Sequence, residues 1–311
     1  MRIRRLALVP LAVAALLGTG AAAFPSGPGP DGPPPPLPAI SASALSARYA
    51  ADARAVAVAA RAAARSGNTQ LDGALAALRT RQVLFFDSRG QGLAAVVIGD
   101  LATARRVAVL VPGSDTTLDT FFSRGTASPG GAGGALAAEA RELEPGNHLA
   151  VIAWLGYAAP ATLSTAVLTS GDAAAGAAAL RPLVTALAGH GDQVALLCHS
   201  YGSVVCGLAA RGLPVTDIAV VGSPGMDASS ASALGTRARV WAGRGGSDWI
   251  GDVPHVQLLG LGFGADPMSP GFGAREFATG SGGHSDYFRP GSVSLRNLAW
   301  IALGDPAEVT R

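Results

Sequence analysis

Residues 194–203 read VALLCHSYGS and connect an apolar run to a serine, a glycine and a second apolar stretch. The first run predicts a buried strand, and the residues from Ser203 onward predict a helix. A sharp strand-to-helix turn lifts a serine hydroxyl clear of the sheet, so Ser200 is the predicted nucleophile. Gly202 leaves room for the helix to approach the strand. The alternative interpretation is that Ser200 only caps the helix.

Short apolar runs alternate with helical stretches on both sides of this segment. Five runs predict strands, at 107–111, 149–154, 194–197, 218–221 and 239–241. Helices are predicted between them, near 135–143, 172–188 and 203–210. Two further runs, 83–86 and 94–98, are joined by SRGQG and predict a hairpin. Strands that are apolar throughout are typical of a sheet covered on both faces, so we expect an α/β fold with a doubly wound, mostly parallel sheet.

The N-terminal residues have the three-part pattern of a secretory signal. Arginines at positions 2, 4 and 5 precede an apolar run at 6–17, and three alanines end at position 23. We therefore expect a signal peptide at 1–23 and a secreted or cell-envelope protein, with an uncleaved membrane anchor as the alternative. Residues 24–40 are rich in proline and glycine and predict an extended linker. Residues 41–80 predict an N-terminal helical extension, with helices at 41–65 and from 71 to 78.

The composition restricts the class of protein. Hydrophobic residues make up 49% of the 311 residues and charged residues only 14%, which is enough apolar material for a large core. The net charge is +2, and the arginines are scattered rather than clustered. Because nucleic-acid binding usually requires a basic patch, the sequence does not support a nucleic-acid partner. Nothing in the sequence indicates an oligomeric state.

A serine nucleophile needs a base, and the base needs an acid to orient it. The order serine, acid, histidine along the chain favours His284, in the glycine-rich segment SGGHSDY at 281–287, with His255 as the alternative. The acid is expected in the loop after the strand at 239–241. Asp248 lies there and is the predicted acid, with Asp252 and Asp227 as alternatives.

The oxyanion of an acyl-transfer reaction needs backbone N–H donors. One is expected from Tyr201, the residue after the nucleophile, and the other from the loop after an earlier strand. That loop reads VPGSDTT at 111–117, and its natural donor is the N–H of Ser114. An ordinary turn capped by Ser114 or Asp115 is the competing interpretation, and both can hold together.

The two cysteines flank the predicted elbow. Cys198 lies two residues before Ser200 on the strand, about 6.6 Å down, and Cys206 lies five or six residues along the helix, about 8–9 Å down. Their similar depth makes a disulfide between Cys198 and Cys206 plausible in an oxidising compartment. Two buried free thiols are the alternative.

Several motifs together resemble an actinobacterial group of α/β-hydrolases that was long classified as a domain of unknown function. They are, in chain order, Gly99-Asp100, Val111-Pro112-Gly113, Trp154-Leu155-Gly156-Tyr157, His199-Ser200-Tyr201-Gly202-Ser203, Gly222-Ser223-Pro224-Gly225 and Gly283-His284. The resemblance covers residues 82–304 and implies an α/β-hydrolase domain at 81–311. It supports Ser200, Asp248 and His284 as the catalytic residues. The sequence departs from the family at Cys198, where glycine is usual.

These features predict a serine hydrolase that cleaves a carboxylic ester through an acyl-enzyme. The expected substrate is a small-molecule or lipid-like acyl ester, and residues 156–180 are expected to line the acyl pocket. Two alternatives stay open: an acyltransferase that acts on cell-envelope components, and a non-catalytic envelope protein that keeps the fold. The triad needs no cofactor and no metal, and we expect neither.

Overall fold

A computed structural model describes residues 40–41, 43–189, 193–257 and 261–311. The predicted signal peptide at 1–23 and the linker at 24–40, apart from Ile40, lie outside the described residues. Among the helices in the described part of the chain, none combines the length and apolarity needed to cross a membrane.

The centre of the molecule is an eight-stranded sheet in the order β1-β2-β4-β3-β5-β6-β8-β10. Its strands are β1 (Gln82–Asp87), β2 (Leu93–Ile98), β3 (Arg106–Val111), β4 (Leu149–Leu155), β5 (Gln193–His199), β6 (Asp217–Val221), β8 (Arg239–Gly243) and β10 (Arg275–Glu276). Strand β2 is antiparallel to both of its neighbours, and the remaining pairs are parallel. Strands β7 (Gly225–Ala228) and β9 (Phe263–Gly264) form a small second sheet.

Helices cover both faces of the large sheet. They are α1 (Leu45–Ser66), α2 (Thr69–Leu78), α3 (Pro129–Leu143), α4 (Gly171–Gly189), α5 (Gly202–Ala209) and α6 (Val293–Leu303). Helices α3 and α6 share one core cluster with Leu110 and Leu197, while α4 and α5 share the other with Val109 and Leu196. Successive residues along β3, and likewise along β5, thus point to opposite faces and are buried on both, which is why these strands are apolar over most of their length. The predicted doubly wound, mostly parallel α/β sheet is confirmed.

The N-terminal helices α1 and α2 pack against the β1–β2 end of the sheet. Val56 and Leu75 are completely buried there, in a cluster that also contains Val83 and Leu155 of the sheet. The two helices therefore share a hydrophobic core with the strands that follow them.

Two helices differ from the sequence prediction. Helix α3 begins at Pro129, six residues before the predicted start at 135, and it passes close to the sheet at Gly133, where a Cβ would lie 2.8 Å from Ile98. Helix α6 was not predicted, although the Ser292 side chain accepts the N–H of Leu295 at its start and Gly304 ends it in the left-handed conformation. The Ser292 cap and the left-handed Gly304 are standard signals for the start and end of a helix.

Candidate active site

The turn between β5 and α5 positions Ser200 at the carboxyl edge of the sheet. Ser200 has a φ of 54°, a left-handed conformation that is uncommon for a residue other than glycine. Its N–H donates to the carbonyl of Val221 at 3.0 Å, which ties the turn to the neighbouring strand. Any side chain at Gly202 would place a Cβ only 2.4 Å from the carbonyl oxygen of Val111. The turn therefore requires glycine at this position and holds the serine in a strained backbone.

Three predicted side chains lie in a hydrogen-bonded row. The Ser200 hydroxyl donates to Nε2 of His284, with 2.9 Å between Oγ and Nε2. On the other side of the ring, Nδ1–H of His284 donates to Oδ1 of Asp248 at 2.8 Å. The carboxylate thus sets the tautomer in which Nε2 is free to accept a proton.

The carboxylate of Asp248 is buried and accepts several hydrogen bonds. It accepts hydrogen bonds from the N–H of Ile250 at 2.9 Å and from the hydroxyl of Tyr287. Burial alone would raise the pKa of Asp248, but the hydrogen bonds from His284, Tyr287 and Ile250 outweigh it and hold the pKa below its ordinary value. The group is therefore ionised near neutral pH.

Within the described residues, none of the alternative acids and base forms a hydrogen bond to the hydroxyl of Ser200. Nε2–H of His255 donates to the carbonyl of Ser223 at 3.2 Å. The Oδ1 atom of Asp227 accepts from Gln257, and Asp252 is exposed on a short 3-10 helix. The structure brings none of these three side chains into the hydrogen-bonded row.

Two further residues support the row, and the sequence analysis did not identify them. Nε2–H of His199 donates to the carbonyl oxygen of His284 at 2.7 Å and so anchors the loop that carries the imidazole. The hydroxyl of Tyr287, which donates to Asp248, also accepts the N–H of Gly245 at 3.0 Å. Proximity in sequence to Ser200 and His284 was the only signal for them, and it does not reveal these contacts.

His199 should make the fold sensitive to acid. Burial, assisted by the neighbouring His284, lowers the pKa of His199 to about 4, whereas a histidine in an unfolded chain titrates near about 6.5. Because the unfolded state binds the proton more readily, this contribution to stability is complete above about pH 6.5 and is lost as the pH falls toward 4.

We therefore expect acidification from about pH 7 to about pH 4.5 to lower the free energy of unfolding by about 2–3 kcal/mol through this one group. The variant His199→Gln keeps an N–H donor and does not titrate, so urea denaturation at both pH values should show a smaller loss for it. Equal losses in the two proteins would show that His199 is not buried in its neutral form.

The two predicted oxyanion donors face the same space. Within the described residues, neither the N–H of Ser114 nor that of Tyr201 donates a hydrogen bond to the protein. The loop before Ser114 is held by the hydroxyl of Tyr157, which donates to the carbonyl of Pro112 at 2.7 Å. The Tyr201 hydroxyl donates to the carbonyl of Thr169, also at 2.7 Å. These bonds anchor the loop before Ser114 and the side chain of Tyr201, and both backbone amides have a donor available for a bound oxygen.

Cys198 and Cys206 form a disulfide bond across the elbow, with their α-carbons 6.6 Å apart. Both residues are completely buried between β5 and α5. The bond connects the strand before Ser200 to the helix after it.

A cavity of about 500 Å³ opens next to Ser200 and His284. Thr162, Val167 and Leu168, from the segment predicted to line the acyl pocket, form part of its wall. The lining also includes the polar side chains of Thr116, Thr120 and Arg124. In the described parts of the chain, no group of three or more histidine, cysteine, aspartate or glutamate side chains is arranged to hold a metal.

A sequence model of the alpha/beta hydrolase family matches residues 87–258, more than half of the chain. The chain belongs to this family. The matched residues include the turn at Ser200 and the loop at Asp248, and the fold class predicted from the sequence is confirmed. Residue 284 lies beyond the match.

Curated relatives of this alpha/beta hydrolase are uncharacterized mycobacterial proteins. One from Mycobacterium tuberculosis is 34% identical over 248 residues, covering 69% of this chain and 37% of the relative. Another, from Mycobacterium bovis, is 37% identical over 150 residues, covering 46% of this chain and 56% of the relative. The chain therefore spans little more than a third to about half of the length of these relatives.

Solved structures of similar fold include esterase PE8, 16% identical with a TM-score of 0.44, covering 67% of this chain and 97% of that one. A dienelactone hydrolase from Anabaena variabilis is 15% identical with a TM-score of 0.44, covering 74% of this chain and 97% of that one.

Proposed function

We propose that the protein is a secreted serine hydrolase that cleaves carboxylic esters through an acyl-enzyme on Ser200. The observation that carries the proposal is the position of the His284 ring, which lies within hydrogen-bond distance of both the Ser200 hydroxyl and the Asp248 carboxylate. A nucleophile, a base and an orienting acid in this arrangement are what ester cleavage at neutral pH requires.

In the first half of the reaction, Oγ of Ser200 attacks the ester carbonyl carbon while its proton moves to Nε2 of His284. The carbonyl oxygen becomes an oxyanion and accepts hydrogen bonds from the N–H groups of Tyr201 and Ser114. As the tetrahedral intermediate collapses, the carbon–oxygen bond to the alcohol breaks and the alcohol takes the proton from Nε2. The acyl group remains on Ser200.

In the second half, water replaces the alcohol. His284 takes a proton from the water as it attacks the acyl carbon, the same two amides stabilise the second oxyanion, and the proton returns to Oγ as the acid leaves. Throughout both halves Asp248 stays ionised, because its hydrogen bonds lower its pKa, and its negative charge stabilises the protonated ring of His284.

The composition of the cavity supports an acyl ester as substrate. Val167, Leu168 and Phe263 provide apolar contact surface next to the nucleophile, and a volume of about 500 Å³ is in the range of small-molecule sites. The resemblance of the six sequence motifs to the actinobacterial group supports the same assignment without adding a substrate.

Two observations support export. The signal pattern at residues 1–23 is one, and the other is the disulfide between Cys198 and Cys206, since disulfides persist mainly in oxidising compartments. N-terminal sequencing of protein recovered outside the cell tests the export, and the mature protein should begin after Ala23. If the protein is found only in membranes and keeps its full N-terminus, the membrane anchor is favoured.

A series of p-nitrophenyl esters of increasing acyl length tests the activity. Wild-type protein should release p-nitrophenolate from at least part of the series, and Ser200→Ala should not. Adding an alcohol that accepts the acyl group distinguishes transfer from hydrolysis, because a transferase forms the new ester in place of the free acid. A folded protein that cleaves no ester and transfers no acyl group would support the non-catalytic alternative.

A further inference from the structure

The exposed large apolar side chains are unevenly distributed over the molecule. In the ranges that the structure describes, seven such side chains are highly exposed. Two of them, Leu168 and Trp249, line the cavity next to Ser200, and three more lie within two residues of the lining residues Thr162, Pro254 and Gly262. We call these five the apolar rim: Leu163, Leu168, Trp249, Val256 and Leu261. Leu163 is 101% exposed and the other four are between 51% and 59% exposed. The remaining two are Val58 on α1 and Val293 on α6.

The rim is continuous with the catalytic cavity. Leu168 and Trp249 line the cavity while remaining about half exposed. The Trp249 ring lies 4.8 Å from the ring of His284, centroid to centroid. The rim therefore begins at the catalytic imidazole and extends outward into solvent.

The members of the rim are also connected to one another. The N–H of Gly262, which follows Leu261, donates to the carbonyl of Leu168 at 3.0 Å. The backbone of Gly262 lies directly against the carbonyl oxygen of Val256, since a Cβ there would be 1.9 Å from it. Leu163 follows Thr162, whose N–H and hydroxyl both bond to the carboxylate of Asp115 at the cavity wall. The two chain segments that carry these exposed apolar side chains thus meet beside the cavity.

The charges near the rim restrict what can bind there. Residues 161–168 contain no charged side chain, and residues 249–257 contain one carboxylate, Asp252, and no lysine or arginine. Arg124 lies in the cavity lining, but the two segments that carry the rim supply no cation of their own. Exposed apolar side chains on segments of this kind favour an uncharged, apolar partner. A second protein copy seated there would close the cavity mouth, whereas the surface of a lipid aggregate would deliver an ester to it.

We propose that the apolar rim docks the protein on the surface of a zwitterionic lipid aggregate, so that an acyl ester passes from the lipid into the cavity. This deepens the proposed function and depends on it for the chemistry, but the docking is a binding event that occurs without catalysis. Leucine and tryptophan side chains inserted at a lipid–water boundary are typical of proteins that lie on such a surface. The substrate class is therefore an ester lipid presented in an aggregate.

Site-specific fluorescence tests the docking independently of the N-terminal apolar residues. The sequence has only two cysteines, and both are in the disulfide. A cysteine at position 163 (Leu163→Cys) or at the control position 293 (Val293→Cys) therefore accepts a single polarity-sensitive dye. Both variants are made as full chains with Ser200→Ala, so that no lipid is consumed during the measurement.

On mixing with phosphatidylcholine vesicles, the dye at position 163 should shift its emission to shorter wavelength and be quenched by lipid-borne quenchers. The dye at position 293 should change little. No change at position 163, or equal changes at both positions, would overturn the proposal. If the wild-type protein instead forms a dimer that Leu163→Ser and Leu261→Ser dissociate, as measured by light scattering, the rim is a self-contact surface and the proposal is wrong.

Kinetics on aggregated substrate provide the second readout. Each leucine removed from the lipid surface should weaken binding to it about tenfold. When micellar ester is limiting, the double variant Leu163→Ser and Leu261→Ser should therefore cleave it about 100-fold more slowly than wild type. The matched pair Val58→Ser and Val293→Ser should change it less than about twofold. Both pairs should keep wild-type activity on dissolved p-nitrophenyl acetate. If dissolved ester is not cleaved even by wild type, the proposed function fails, while the fluorescence result still decides the docking.

Discussion

Replacing His284 by alanine should lower kcat for a p-nitrophenyl ester about 10⁶-fold, and Ser200→Ala should have an effect of the same size. The two side chains act as one unit, because Oγ cannot attack efficiently unless Nε2 takes its proton. Once either is absent the other contributes little, so the double variant should be no slower than the single ones.

The fold should survive both changes. The His284 ring makes its hydrogen bonds within the site, and no large core residue is removed. Circular dichroism and the melting temperature should stay close to those of wild type, and His255→Ala is the matched control, with a small effect on kcat. Near-normal turnover by His284→Ala, together with a collapse in His255→Ala, would move the base to His255.

Asp248→Asn should lower kcat about 10⁴-fold and leave the protein folded. The amide has nearly the shape of the carboxylate, but it carries no charge to stabilise the protonated imidazole and its NH₂ group favours the wrong tautomer of His284. Because Oδ1 and Oδ2 of Asp248 accept from Ile250 and Tyr287 as well, the substitution also disturbs these contacts. Pre-steady-state kinetics should show slower formation of the acyl-enzyme.

The control for this variant is Asp252→Asn, a substitution four residues away on the exposed surface. It should retain wild-type kcat. A normal rate for Asp248→Asn would contradict the assignment, and loss of activity in Asp252→Asn or Asp227→Asn would identify the acid in its place.

The parallel strands were predictable because they are buried on both faces. Strands β3 to β6 and β8 are almost entirely apolar, and each lies within about two residues of the prediction. Strand β10 was not predictable in this way. It has two exposed residues, Arg275 and Glu276, and is defined only by its pairing with Trp241 and Ala242 of β8. Pairing of that kind depends on tertiary placement and not on local propensity.

Some residues of the candidate site were likewise predictable from the sequence, and others were not. The order of Ser200, Asp248 and His284 along the chain follows from the fold class, so the sequence leads to these three as predictions. The contact from His199 to the carbonyl of His284 joins residues 85 positions apart, and nothing in the local pattern indicates it. A backbone carbonyl accepts in the same way whatever its side chain, so the identity of the accepting residue does not predict contacts of this type, and they depend on the three-dimensional fold.

The reactivity of Ser200 toward a fluorophosphonate tests most directly whether the imidazole of His284 activates this serine. The rate of covalent labelling is measured for wild type, His284→Ala and His255→Ala, and the modified residue is mapped by peptide mass spectrometry. We expect a single adduct on Ser200, formed at nearly the same rate in His255→Ala and at least about 10³-fold more slowly in His284→Ala. An adduct on another side chain, or undiminished labelling of His284→Ala, would contradict the catalytic arrangement.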